Sequence, residues 1–124
     1  MSYVSYDEFK KMEIRVGTIL KVEPVPETDK LLCCQVDFGS IIIENPDGTK
    51  EEKRNIRQII SGIHEYYPDP SVLINKQVLY IVNLEPRTIK GYESNGMLMA
   101  VDGIDGKPVF LVPEVPVNPG SKVR

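Results

Sequence analysis

Apolar and polar residues alternate along Ile14, Val16, Leu20 and Val22, and again along Leu32, Cys34, Val36 and Phe38. That period of two predicts strands with one buried face. The first strand is expected over Glu13 to Glu23, with Gly17 supplying the bend or bulge that a small barrel needs. A Pro-rich loop over Pro24 to Asp29 leads into the second, Leu31 to Phe38. Further short β-rich runs predict strands over Asn55 to Ser61, Gln77 to Val82 and Gly96 to Asp102. Residues 40–54 read as a hairpin arm, with Ile41-Ile42-Ile43 strand-like and Asn45-Pro46-Asp47-Gly48 as its turn. Between the third and fourth strands, Gly62 to Asn75 holds one or two helical turns broken by Pro68 and Pro70.

Both ends carry additions. Ser5 and Glu8 form a capping box, with Val4 and Phe9 at the flanking staple positions, so a helix is predicted from Tyr6 to Met12. It is too short to stand alone and is expected to dock through Tyr6, Phe9 and Met12. At the other end, residues 103–124 form a C-terminal extension. Its Gly103-Ile104-Asp105-Gly106 turn feeds Val109 to Val112, and Pro113, Pro116 and Pro119 keep its tail extended. The pattern predicts an all-β fold of five core strands with a helical crossing before the fourth. An oligonucleotide/oligosaccharide-binding barrel (OB fold) fits that order, as another small barrel also does.

The 124 residues suit one domain, with a core large enough to bury about 65–70% of the unfolded surface. No run approaches the apolar length needed to cross a bilayer, and the first residues lack a signal-peptide pattern, so a soluble cytoplasmic protein is expected. The net charge of −3 argues against indiscriminate nucleic-acid binding, so any RNA site must be a local patch. Cys33 and Cys34 are strand neighbours pointing to opposite faces, poorly placed for a shared disulfide or metal. With His64 as the single histidine, no ordinary zinc site is expected, and no cofactor. Neither a nucleophile–base motif nor a phosphate-cradling glycine loop occurs, which predicts a non-enzyme.

The segment from Asn83 to Ala100 is the most informative. It puts Arg87, Lys90, a proline and two glycines into an irregular loop between two β-rich runs. Loops on a rigid sheet are where binding chemistry concentrates, and Arg87 and Lys90 beside Asn83 and Ser94 suit phosphate and sugar oxygens. An ordinary solvated loop is the alternative on spacing alone. The ordered set Ile14-Arg15-Val16-Gly17, Thr28-Asp29-Lys30-Leu31, Ile60-Ser61-Gly62, Asn83-Leu84-x-Pro86 and Lys90-Gly91-x-x-Ser94-x-Gly96-Met97 resembles the tRNA-binding domain appended to methionyl-tRNA synthetases. The same domain occurs in free-standing structure-specific tRNA-binding proteins. The resemblance runs from Phe9 to Val123 and selects the OB barrel among the candidate folds.

What the resemblance implies is a non-catalytic module that binds folded tRNA by shape and backbone. It would act as the β subunit or the C-terminal domain of a methionyl-tRNA synthetase. The implied tRNA-binding residues are Lys30, Arg57, Asn83, Arg87, Lys90, Ser94 and Met97. Lys90 matches a basic family position, and Ser94 and Met97 match the S-x-G-M motif. Arg87 stands where relatives have a small residue, while Glu85 replaces a common lysine, which moves the positive charge along the loop. Asn83 either bonds a base or ribose or caps the strand end. The resemblance also implies a homodimer built from the terminal elements, with the synthetase catalytic chain as a partner. Two alternatives are a secretion-chaperone-like dimer that binds peptide, and an assembly module with a vestigial RNA site.

Overall fold

The computed structural model describes residues 2–124. A six-residue helix, α1 (Tyr6–Lys11), precedes nine strands: β1 (Ile14–Pro24), β2 (Leu32–Glu44), β3 (Lys50–Ser61), β4 (Gln77–Ile81), β5 (Arg87–Ile89), β6 (Tyr92–Ser94), β7 (Met97–Leu98), β8 (Ala100–Asp102) and β9 (Pro108–Phe110). Five of them form an antiparallel sheet in the order β3-β2-β1-β4-β7. The sheet curls into a half-barrel, an all-β, OB-like fold. Its concave side holds the main core, including Ile19, Leu32, Val36, Ile59, Val78 and Tyr80, all fully buried. Phe38 meets the Tyr80 ring edge-on, with centroids 5.4 Å apart. Two short 3-10 turns between β3 and β4, His64–Tyr66 and Pro70–Leu73, insert Leu73 into this core.

Curvature comes from two irregularities. In β1 the register with β2 shifts between Ile19 and Lys21, so Leu20 is the extra residue and stands exposed. Gly17, expected to supply that bulge, has another role: a Cβ there would overlap Val36 and the Phe38 ring. It lets the second strand's side chains close over the first. In β2 the shift lies between Asp37 and Ser40, where Gly39 adopts φ +85° and donates its N–H to the Asp37 carboxylate at 2.9 Å.

The 40–54 segment forms the expected hairpin arm. It continues the β2–β3 ladder from Ser40↔Arg54 to Glu44↔Lys50. The Asn45 N–H closes the turn on the Thr49 carbonyl at 2.8 Å. The predicted fifth strand is broken at Met99: β7 pairs with β4, and β8 turns away to pair with β9.

Helix α1 carries the predicted capping box, Ser5 and Glu8 bonding each other's backbone N–H. It does not pack into the barrel of its own chain: none of its residues is buried and Tyr6 stays 72% exposed. Asn83 anchors its end instead. The Asn83 amide donates to the Lys11 carbonyl at 2.6 Å, and its Oδ1 accepts from the Glu13 N–H at 2.8 Å. The C-terminal tail crosses back to the start of β1, where Val16 donates to the Ser121 carbonyl at 2.9 Å and Val123 to the Ile14 carbonyl at 2.8 Å.

Candidate nucleic-acid interface

Strand alternation leaves Cys33, Gln35, Gln58 and Ile60 on the convex side of β2 and β3, opposite the main core. Gln35 donates to the Gln58 side chain at 3.2 Å in the middle of this face. At one end a satellite apolar cluster forms from Val25, Cys33 and Ile60, with Leu31, Ile89 and Tyr92 packed against it. Those residues come from the face, from the loop 25–31 and from the 83–96 connection. One small cluster therefore ties both loops to the same strands. In OB folds this strand face and these two loops are where nucleic acid is bound.

The 83–96 connection, expected to be irregular, contains the β5–β6 hairpin. Its pairs are Arg87↔Ser94, Thr88↔Glu93 and Ile89↔Tyr92. The two turn residues, Lys90 and Gly91, have φ of +52° and +82°. Positive φ at both central positions is the pattern of a type I′ turn, whose twist matches that of the flanking strands. Gly91 adopts this conformation freely, whereas Lys90 does so at some cost. The outcome is a charged side chain at the tip of a fixed hairpin.

Ser94 lies beneath that hairpin and is buried. Its hydroxyl accepts the Ile60 N–H at 2.9 Å and donates to the Gly96 carbonyl at 3.3 Å. Next to it Asn95 donates its backbone N–H to the Gln58 carbonyl at 2.8 Å. These bonds join β3 to the β6–β7 segment and close the seam of the barrel. Gly96, at φ +146°, packs against the Ile59 side chain, where a Cβ would lie 2.9 Å from Cδ1. The S-x-G part of the motif thus holds the seam, and Met97 remains half-exposed.

The structure divides the sequence-predicted set into three groups. Arg87, Ser94 and Met97 line one concavity of about 450 Å³, together with Ile60, Leu84 and Ile89, and Glu85 shares its edge. Lys90 at the hairpin tip and Lys30 in the adjoining loop flank the same face. The Lys30 loop is held by the His64 N–H, which donates to the Lys30 carbonyl at 3.1 Å. Arg57 and Asn83 lie apart from this group. Arg57 shares the concave side with Val36 and donates to the Val82 carbonyl at 2.5 Å, while both polar ends of the Asn83 amide are engaged by α1 and Glu13.

Electrostatics adds to this placement. Lys21, Lys53, Arg54, Lys107 and Arg15 each pair with a carboxylate, whereas Lys30, Arg87 and Lys90 carry no ion pair among the described residues. Among other cations without an ion pair, Lys11 ends α1, Lys76 precedes β4, and Lys50 lies at the arm end of β3 opposite Glu44, far along the ladder from Ile60 and the two loops, so position as well as freedom singles out these three. Sequence reasoning missed Gln35 and Gln58, although polar residues at the outward positions of two apolar strands are a readable signal. The surroundings of Arg15, named in the motif without a role, depend on the returning tail, whose Gly120 carbonyl accepts from it at 2.9 Å.

Among the described residues no group of three or more His, Cys, Asp or Glu side chains converges as a metal site requires, and no helix is long and apolar enough to cross a membrane. Both cysteines are free and buried, with Cys34 in the main core and Cys33 in the satellite cluster.

Residues 14–122 match the family model described as a putative tRNA binding domain. The chain is 41% identical to methionine–tRNA ligase of Parabacteroides distasonis over 121 residues, which is 98% of this chain and 16% of that protein's length. Among solved structures it is similar to a MetRS-related protein from Pyrococcus horikoshii, with TM-score 0.81 and 32% identity over the whole of both chains. It is also similar to the CsaA chaperone protein from Picrophilus torridus, with TM-score 0.76 and 26% identity over 98% of this chain and all of that one.

Proposed function

This chain belongs to the tRNA-binding domain family, and we propose that it is a non-catalytic tRNA-binding module, the β subunit or C-terminal domain of a methionyl-tRNA synthetase. The observation that carries this reading is the trio of unpaired cations on the two loops that flank the convex β2–β3 face. Phosphate contacts of this kind position RNA without reading its sequence. Lys30, Arg87 and Lys90 supply charge, Met97 supplies an apolar contact, and Ser94 and Asn83 hold the loop that presents them. Arg57 contributes from the neighbouring end of the barrel. Folded tRNA is then bound by shape and backbone, and the module raises the local concentration of tRNA beside a catalytic chain in the cytoplasm.

The proposed working form is a single domain over 1–124 that assembles as a two-fold homodimer. Tyr3, Val4, Tyr6, Ile104, Val109 and Val112 are all at least half exposed on the terminal elements, an apolar surface that suits a self-complementary interface.

The test is equilibrium binding of folded tRNA against an unstructured RNA of equal length at matched salt. Tighter binding of tRNA supports the reading, and equal binding contradicts it. The purified chain is also expected to show no ATP–pyrophosphate exchange. A second reading, a chaperone-like dimer that binds peptide, draws on one observation: the concavity walled by Ile60, Leu84, Ile89 and Met97 suits an apolar side chain. A fluorescent unfolded peptide that competes with tRNA at this concavity would favour it.

A further inference from the structure

A second concavity, of about 410 Å³, opens where the C-terminal tail crosses β1 and β2 and is lined by Arg15, Arg57, Asn55, Ser40 and Glu13. Its two guanidiniums are fixed by backbone carbonyls rather than by an equal number of carboxylates. Arg57 donates to the Val82 carbonyl at 2.5 Å and to Asn55 Oδ1 at 3.4 Å, and it lies over the Phe38 ring, 5.8 Å from the centroid. Arg15 donates to the Gly120 carbonyl at 2.9 Å and to the Glu13 carboxylate at 2.9 Å. Each uses part of its planar fork and keeps the remaining donors.

The returning tail builds this site. Gly120 passes so close to the Phe38 carbonyl that a side chain there would overlap it, and a Cβ on Gly39 would collide with the Pro119 carbonyl. Two glycines therefore permit the crossing that aims the Gly120 carbonyl at Arg15. Lys122 sits opposite Arg15 on the tail. The hydrogen bond from Arg15 holds the Glu13 carboxyl below its ordinary range, and the charges of Arg15, Lys122 and Arg57 add to that effect. Three cations thus bear on one carboxylate, which leaves the cleft positive in a chain whose net charge is −3.

We propose that this cleft, formed by Arg15 and Arg57 under the C-terminal tail, binds a phosphate group. A fixed guanidinium fork matches phosphate oxygens bidentately, and Asn55 and Ser40 offer neutral donors beside it. The phosphate comes either from an RNA backbone or from a small phosphorylated molecule. The proposal does not require the tRNA reading, since a phosphate ion alone can test it.

The experiment follows the arginine Nε–Hε resonances of the full chain by NMR during titration with inorganic phosphate, with ionic strength held constant by chloride. Saturable shifts at Arg57 and Arg15 are expected. Arg57→Gln should weaken binding by about tenfold, as expected for loss of a charge-assisted bidentate contact. Arg57→Lys, which keeps the charge but loses the fork, should fall between, and Lys107→Gln at the β8–β9 turn should match the parent. Preserved dispersion in the spectra separates lost binding from lost folding. Adding tRNA assigns the source: displacement of phosphate identifies an RNA phosphate, and simultaneous binding identifies a free phosphorylated ligand. Shifts that fail to saturate, or that are the same size in Arg57→Gln, would overturn the proposal.

Discussion

The backbone N–H of Ile60 donates to the hydroxyl of Ser94 at 2.9 Å, across 34 residues of sequence. This bond lies under the β5–β6 hairpin, at the seam between β3 and the β6–β7 segment. The same serine therefore sets where Arg87, its cross-strand partner, and Lys90, at the hairpin tip, stand beside the convex β2–β3 face.

Ser94→Ala should cost about 1–3 kcal/mol of stability, because a buried backbone donor loses its acceptor. Urea unfolding at constant pH measures it. A stability equal to the parent would mean that the seam does not depend on the hydroxyl.

Much of this architecture could be read from the chain where the controlling contacts are local. The capping box of Ser5 and Glu8 is closed within one helical turn, and the alternation at Leu32, Cys34, Val36 and Phe38 reports its buried face directly. Long-range partners were not legible. Asn83 is tied to Lys11 and Glu13, more than 69 residues away, and nothing beside it in sequence announces that role. The β5–β6 turn was hidden because Lys90 stands where Asn or Asp ordinarily marks a type I′ turn. Gly17 looked like a bulge and is a close approach, a distinction that depends on Val36 and Phe38 in the next strand. For the site, the basic positions were readable in the motif, but the separation of Arg57 from Lys90 follows from strand register.

Burial pushes the Cys34 thiol up to about 12 from its ordinary 9.0, and it raises the Tyr80 phenol as well. Between about pH 9 and 12 the unfolded chain has lost a thiol proton that the folded chain keeps. Stability from this group is complete below the unfolded value and falls as pH rises through the window, by about 1.4 kcal/mol per pH unit. Urea midpoints should therefore drop on the alkaline side, and Cys34→Val should flatten the decline. An identical slope in that variant would contradict the assignment. In the folded protein near neutral pH, both thiols should also resist a water-soluble alkylating reagent until denaturant is added.

The homodimer rests on the exposed apolar residues of the termini. Ile104→Lys and Tyr6→Lys each place a charge on that surface and should weaken self-association by at least about tenfold, since a desolvated unpaired charge costs several kcal/mol. Sedimentation equilibrium at micromolar concentration reads this directly. Monomer in the parent chain would remove the proposal.

The most direct test of the tRNA interface is the salt dependence of tRNA binding in the parent, Lys90→Glu and Lys53→Glu. Lys90 stands unpaired at the hairpin tip, while Lys53 lies on the arm with its ammonium 3.8 Å from Glu51. Each neutralised phosphate contributes about 0.7–0.9 to the slope of log affinity against log salt. Lys90→Glu should lower affinity for different tRNAs alike and flatten the slope by at least about 0.7, with Lys53→Glu close to the parent. Unchanged affinity and slope in Lys90→Glu would contradict the proposed interface.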